Sequence, residues 1–144
     1  MKINKLLIIL IILFLIIILS IYALGINKKK EKLNLKNYNY EYEFYLNKEI
    51  NGTELATLIN KEINQNEKNK IKKDKNNHYI ENEENSIKID VEISLTKKTY
   101  SMEEFFNNDT AEFVKFFSEE NFKCTNIEYH KKNGKISRLI FTQI

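Results

Sequence analysis

Proline is absent from the 144 residues, glycine occurs three times, cysteine once and arginine once. The shortage of Gly and Pro excludes Gly-rich phosphate loops, collagen-like repeats and Pro-rich recognition arms, which all depend on the backbone geometry of those residues. A single cysteine, Cys124, excludes an intrachain disulfide and any zinc site built from several thiolates, and leaves the redox compartment open. Its expected role is that of a small buried apolar residue, with a reactive thiol as the alternative. Arg138 is the one arginine, and no concentrated basic patch accompanies it, so nucleic acid is not an expected partner. Lys and Arg number 23 against 20 Asp and Glu, a net charge of +3 with a pI of 8.8, a balance that points to no partner. The abundance of Lys, Asn and Ile fits the codons of an A/T-rich genome.

What the sequence does possess is one long hydrophobic run. Residues 6–19 carry no charged or polar side chain, and the run continues through Ser20 and Tyr22 to Ile26. As a helix, residues 6–26 rise roughly 31 Å at about 1.5 Å per residue, which matches the ~30 Å hydrocarbon core of a bilayer. The organisation expected is a basic leader at 1–5, a transmembrane signal anchor at 6–26, a juxtamembrane linker at 27–36 and a soluble α+β domain at 37–144. The run exceeds the core of about 7 to 15 residues found in cleaved signal peptides. Ala23-Leu24-Gly25 could pass as a cleavage site, and no Cys follows it to make a lipoprotein. Lys2 and Lys5 precede the run, and Lys28, Lys29, Lys30 and Lys32 follow it, so the positive-inside rule gives a near tie. An uncleaved anchor is expected, with the short N-terminus in the cytoplasm and the domain outside the cell. Residues 6–19 offer no ionisable group for a relay and no small-xxx-small pattern for close packing, so the span should serve as a tether alone.

Beyond it, Leu35, Tyr38, Tyr42, Tyr45 and Leu46 recur at helical spacing, although Tyr38, Tyr40, Tyr42 and Phe44 also alternate like a strand; the helical pattern is preferred and predicts a juxtamembrane helix whose rings form an interfacial belt or pack on the domain. Asn51, three residues before Glu54, has the spacing of a capping box, with Ile50 placed to staple onto Leu55. The helix it starts shows an apolar face of Leu55, Leu58, Ile59 and Ile63 and fades into an Asn/Lys-rich loop at 64–77. Two strands are expected at 78–81 and 86–95, joined by a turn at 82–85. In the second, Ile87, Ile89, Val91, Ile93 and Leu95 alternate with polar residues, the pattern of a sheet with one buried face. Ser101 with Glu104 and Asp109 with Glu112 predict two capped helices broken at Asn107-Asn108. Their stripes, Met102, Phe105 and Phe106, then Phe113, Phe116 and Phe117, read as core. Strands at 122–130 and 135–141 flank Asn133-Gly134, the signature of a type I′ hairpin that pairs Tyr129 with Arg138 and Ile127 with Ile140. Ile127, Tyr129, Ile136 and Ile140 then share one face, and Cys124, Leu139 and Phe141 the other. Two partly apolar faces predict a ribbon inside the sheet or covered on both sides. The architecture expected is an antiparallel sheet of three or four strands with two or three packed helices.

Chemistry-bearing patterns are sparse. Asp74 to His78 begins like a calcium loop, but Tyr79 stands where Gly is needed and Asn85 where Glu is needed. His78 and His130 are far apart and have neither the i, i+4 spacing nor the Cys pair of a zinc site. Cys124 and His130 lie about six strand residues apart, roughly 20 Å along one strand, too far for a nucleophile and its base. Glu83-Glu84, Glu103-Glu104 and Glu119-Glu120 are adjacent pairs whose side chains diverge. No catalytic, cofactor-binding or metal-binding residue is assigned, and no cofactor is expected.

Residues 52–61, Gly-Thr-Glu-Leu-Ala-Thr-Leu-Ile-Asn-Lys, resemble a segment of small single-span proteins of low-GC Gram-positive bacteria, some of them pilin-like. The resemblance implies no activity. Type IV prepilins place a Gly before their cleavage site and a Glu five residues into the apolar helix, whereas here Lys5 leads into uninterrupted apolar residues. The function expected is a non-catalytic, membrane-tethered binding or assembly module facing outside the cell. A pilin-like subunit or secretion-apparatus component, or an enzyme with an unrecognised site, are the alternatives.

Overall fold

In the computed structural model, which describes residues 5–107 and 110–144, the first helix is 39 residues long, with no proline to break it. This helix, α1 (Lys5–Glu43), passes without a break through the stretch expected as a linker and takes in the helix expected from Leu35. The leader apart from Lys5, together with Asn108 and the expected cap Asp109, lies outside the described residues. The chain divides into two compact units, 1–37 and 38–144. In the first, the apolar side chains of 7–19 are exposed, and the helix is long and apolar enough to cross a membrane. Ser20 donates its hydroxyl to the Ile16 carbonyl at 2.8 Å, so the polar residue near the end of the run is satisfied within the helix.

The second unit is an α+β domain. After α1 come β1 (Glu49–Asn51), α2 (Gly52–Lys68), β2 (Lys88–Ile93), β3 (Lys98–Ser101), α3 (Met102–Asn107), α4 (Thr110–Phe117), β4 (Asn121–Tyr129) and β5 (Ile136–Gln143). The five strands form one sheet in the order β1-β4-β5-β2-β3. It is mixed: β2 and β5 run parallel, with Ile89 opposite Leu139 and Val91 opposite Phe141, and the other three pairings are antiparallel. The sequence leads one to expect three or four antiparallel strands, because alternation marks a strand but carries no information on its direction or neighbour.

Alternation does identify the buried face. Ile87, Ile89, Val91 and Ile93 join Leu139, Phe141, Phe122 and Cys124 in a core closed by α2, α3 and α4 and by Tyr42 at the end of α1. The opposite face is polar and open, and Arg138 stands at its middle within 2.5 Å of Asp90, 3.0 Å of Glu81 and 3.1 Å of Glu128. The β4–β5 ribbon is therefore interior to the sheet yet covered on one face, and Leu95, expected to continue β2, is exposed in the β2–β3 turn.

The hairpin departs from the expected register. Tyr129 pairs with Ile136 and Ile127 with Leu139, and irregularities interrupt the ladder between Cys124 and Asn126 and between Glu128 and Tyr129. A bulge moves following side chains to the other face, which puts Ile127 on the same buried side as Cys124. The turn is also longer than type I′: His130 and Lys135 close it, and Gly134 with φ 70° is its one positive-φ residue. The segment 78–81 is not a strand; Asp74 accepts the backbone N–H groups of Asn76 and His78, and this Asx-type turn leaves only an isolated bridge between Lys73 and Tyr79.

Helix α2 begins where expected, with the Asn51 side chain accepting the Glu54 N–H at 2.9 Å, but continues to Lys68 through residues expected as loop. Buried polar partners explain the extension. Asn66 donates to the Ile87 carbonyl at 2.7 Å and accepts the Ile87 N–H at 3.0 Å, acting as one more strand partner at the start of β2. Asn39 of α1 does the same at the start of β5, accepting the Ile136 N–H at 3.0 Å and donating to the Gly134 carbonyl at 2.8 Å. Beside these contacts the Tyr42 hydroxyl donates to the fully buried Glu62 at 3.0 Å, and Tyr45 lies edge-on to Phe141. Tyr38, Tyr42 and Tyr45 thus pack on the domain, while Tyr40 and Phe44 point outward.

Candidate binding groove

Two short helices, each carrying a pair of adjacent phenylalanines, cannot bury both rings of a pair, because neighbours on a helix point about 100° apart. Helix α3 opens with the full capping box: the Ser101 N–H donates to Glu104 Oε2 at 2.7 Å, and the Glu104 N–H donates to Ser101 Oγ at 3.4 Å. That fixes Phe105 inward, tilted against Tyr100 of β3 at 5.7 Å and edge-on to Phe113 at 4.6 Å. Phe113 is buried, stacks on Phe117 at 5.0 Å and reaches Phe122 of β4 at 6.0 Å. One ring of each pair, Phe106 and Phe116, behaves differently. Phe106 is 44% exposed and Phe116 63% exposed, so the core reading holds for Phe113 and fails for these two.

Between α3, α4 and the β2–β3 turn lies an open groove of about 260 Å³. Ile93, Thr96 and Tyr100 form its sheet side, and Phe105, Phe113, Phe116 and Phe117 its helix side. Its charged lining residues are both acidic, Glu104 and Glu112. Glu104 spends one oxygen on the cap. Among the described residues Glu112 has no ion-pair partner, and its side chain is exposed. The surrounding domain shares this sign: residues 38–144 hold 16 Lys and Arg against 19 Asp and Glu, whereas the basic surplus of the chain lies in 1–37.

No protein-family model, curated protein or solved structure matches this chain.

The residues considered for catalysis are dispersed. Cys124 is fully buried, and burial pushes its thiol up to about 11, away from the thiolate a nucleophile needs. His130 is buried at the end of β4 with Nε2 2.8 Å from the Ser86 carbonyl, which makes that nitrogen the donor. His78 sits in the Asp74 turn, which here is an Asx-type turn. The adjacent carboxylates diverge: Glu103 is buried and accepts the Tyr79 N–H at 2.9 Å while Glu104 caps α3, Glu84 pairs with Lys132, and Glu120 accepts from Gln143 at 3.1 Å. Among the described residues no group of three His, Cys, Asp or Glu could hold a metal ion.

Proposed function

We propose that the chain is a single-pass membrane protein whose acidic domain binds a partner outside the cell through the groove between α3 and α4, without catalysis. The observation that carries this reading is the exposure of Phe116 on the rim of an aromatic concavity, since a ring that size is left in water at a cost of about 1.5–3 kcal/mol relative to burial. The apolar helix of α1 supports the anchor, with hydrogen bonds satisfied within the helix as a lipid environment requires. The uninterrupted length of α1 favours a second reading, a pilin-like subunit. Sheared filaments containing the chain would support that second reading.

The test joins orientation to occupancy. An alkaline phosphatase fused after Ile144 is expected to be active, and a photo-crosslinking amino acid at position 116 is expected to trap a protein partner in whole cells. An inactive phosphatase with an active cytoplasmic reporter at the same site overturns the localisation. Absence of any adduct at 116, with adducts at a position on the open face such as 140, overturns the groove.

A further inference from the structure

The domain twice builds the same three-part contact from its own residues. Lys61 lies over the Tyr42 ring at 5.0 Å and is bonded to Glu41 at 2.5 Å; Lys73 lies over the Tyr79 ring at 4.6 Å and is bonded to Glu67 at 2.8 Å. In each, a ring attracts the ammonium, a carboxylate supplies the counter-charge, and the lysine brings a long alkyl stem to the contact. The groove holds two of the three parts. It has aromatic rings in Tyr100, Phe105 and Phe116 and a carboxylate in Glu112. Lys115 lies 5.6 Å from the Phe116 ring, which marks that ring as one able to take a cation, but Lys115 forms no ion pair with Glu112.

Resting on the reading of this groove as a binding site, we propose that its occupant is a lysine side chain presented by a partner protein. Size supports one side chain: about 260 Å³ falls below the roughly 300–1,000 Å³ of pockets that enclose whole small molecules. Charge supports a cation, because both charged lining residues are acidic. The apolar walls favour a long alkyl stem over a compact hydrated ion.

The experiment uses the full chain in detergent micelles, with labelled phenylalanine and tyrosine rings followed by NMR. Three probes are titrated: Nα-acetyl-lysine methylamide, the corresponding norleucine compound, which keeps the stem and lacks the charge, and choline. The capped lysine is expected to shift the groove rings and to bind at least ten-fold tighter than norleucine, a difference of about 1.4 kcal/mol. Glu112→Gln is expected to remove most of that gap while norleucine binds as before, and Phe116→Leu, which keeps apolar bulk without a ring, is expected to weaken lysine more than norleucine. Each variant is first shown to melt with the parent. Equal binding of lysine and norleucine overturns the inference but leaves the groove reading standing if position 116 still crosslinks to a partner. Choline binding tighter than capped lysine replaces the protein side chain with a small ammonium ligand and overturns the proposal. No ring shift with any probe, and no crosslink at 116, overturns the proposal and the groove reading together.

Discussion

The helix layer and the open face of the same sheet treat charge in opposite ways. Under the helices, Glu62 is fully buried with the Tyr42 hydroxyl on one oxygen, while its other oxygen has Lys61 at 3.5 Å and no hydrogen bond. On the open face, Arg138, its side chain 24% exposed, gathers Asp90, Glu81 and Glu128 around its guanidinium. The first arrangement is dry and incompletely paired, so its charge is costly and its environment raises the carboxyl pKa. The second sets three carboxylates around one guanidinium whose Nε is itself buried without a hydrogen bond, but Glu81 and Glu128 reach water, so either of those two contacts alone is worth little. Packing should therefore dominate the response to mutation on one side and screening on the other.

The most damaging substitution falls in the dry layer. Phe122 is fully buried against the rings of Phe113 and Phe117, so Phe122→Ala is expected to destabilise the domain by about 3–5 kcal/mol, the usual cost of a truncated core ring with its cavity. Chemical denaturation of the full chain measures it. A loss below about 1 kcal/mol would mean that the rings under the helices are loosely packed and that the contrast between the layers is false.

Next comes the buried carboxylate. Tyr42→Phe strips Glu62 of a donor and is expected to cost about 1–3 kcal/mol at neutral pH. The pH dependence sharpens the point. Burial raises Glu62 above the ordinary carboxylate value, against the opposing pull of Lys61 and the Tyr42 hydroxyl, so the native state keeps a proton that the unfolded chain has lost. The stability this proton confers is complete below the ordinary value of about 4.3 and is lost as the pH rises through the folded value. Exposed Glu67, Glu84 and Asp74 work the other way: bonds from Lys73, from Lys132 and from the His78 backbone lower their pKa values, and their contributions fade on acidification. Glu62→Gln is therefore expected to gain on the parent as the pH rises from about 4.3 through the folded value. A gap between the two that does not change with pH would show that Glu62 titrates as it does in the unfolded chain.

Much of this contrast was legible in the residues, and the missing parts have identifiable causes. The alternation of Ile87, Ile89, Val91 and Ile93 against Lys88, Asp90 and Glu92 states which face of β2 is wet. The caps at Asn51 and Ser101 are local, and both form. Strand β3 was missed because Lys98, Thr99, Tyr100 and Ser101 become a strand only by pairing with β2. The end of α2 was missed because Asn66 is stabilised by Ile87, 21 residues away. The groove was hidden inside a correct rule: phenylalanines at helical spacing are usually core, and Phe113 is, but the adjacency of Phe116 and Phe117 was the available sign that one ring must leave the core.

On the open face, Arg138→Met is expected to cost about 1–2 kcal/mol, because it leaves the mostly buried Asp90 without its partner and Asp90, Glu81 and Glu128 to repel one another. That penalty should shrink as salt is added, because the Debye length falls from ~10 Å at 0.1 M to about 3 Å at 1 M. A penalty of several kcal/mol, insensitive to salt, would place Arg138 with the buried groups and break the contrast.

The smallest expected effect is a difference between two variants at the hairpin loop, where backbone conformation rather than packing decides. Gly134 has φ 70°, and its N–H donates to the His130 carbonyl at 2.9 Å, so the loop holds this residue in the left-handed region while bonding its backbone. For an L-residue that region costs roughly 1–2 kcal/mol, Asn is among the residues that tolerate it best, and a β-branched side chain is among the worst. Gly134→Asn should therefore melt close to the parent, and Gly134→Val should lose about 1 kcal/mol more. The two-residue type I′ turn suggested by Asn133-Gly134 would make the same demand of position 133, whereas in this loop Gly134 alone has a positive φ. Asn133→Val separates the two geometries: it is expected to lack the left-handed penalty of Gly134→Val, losing only the hydrogen bonds the Asn133 side chain makes to the Glu84 carbonyl at 2.7 Å and the Lys135 N–H at 3.0 Å. Asn133→Ala removes the same bonds without a branched side chain, so Asn133→Val and Asn133→Ala should lose equal stability. A markedly larger loss for valine would restore the type I′ turn.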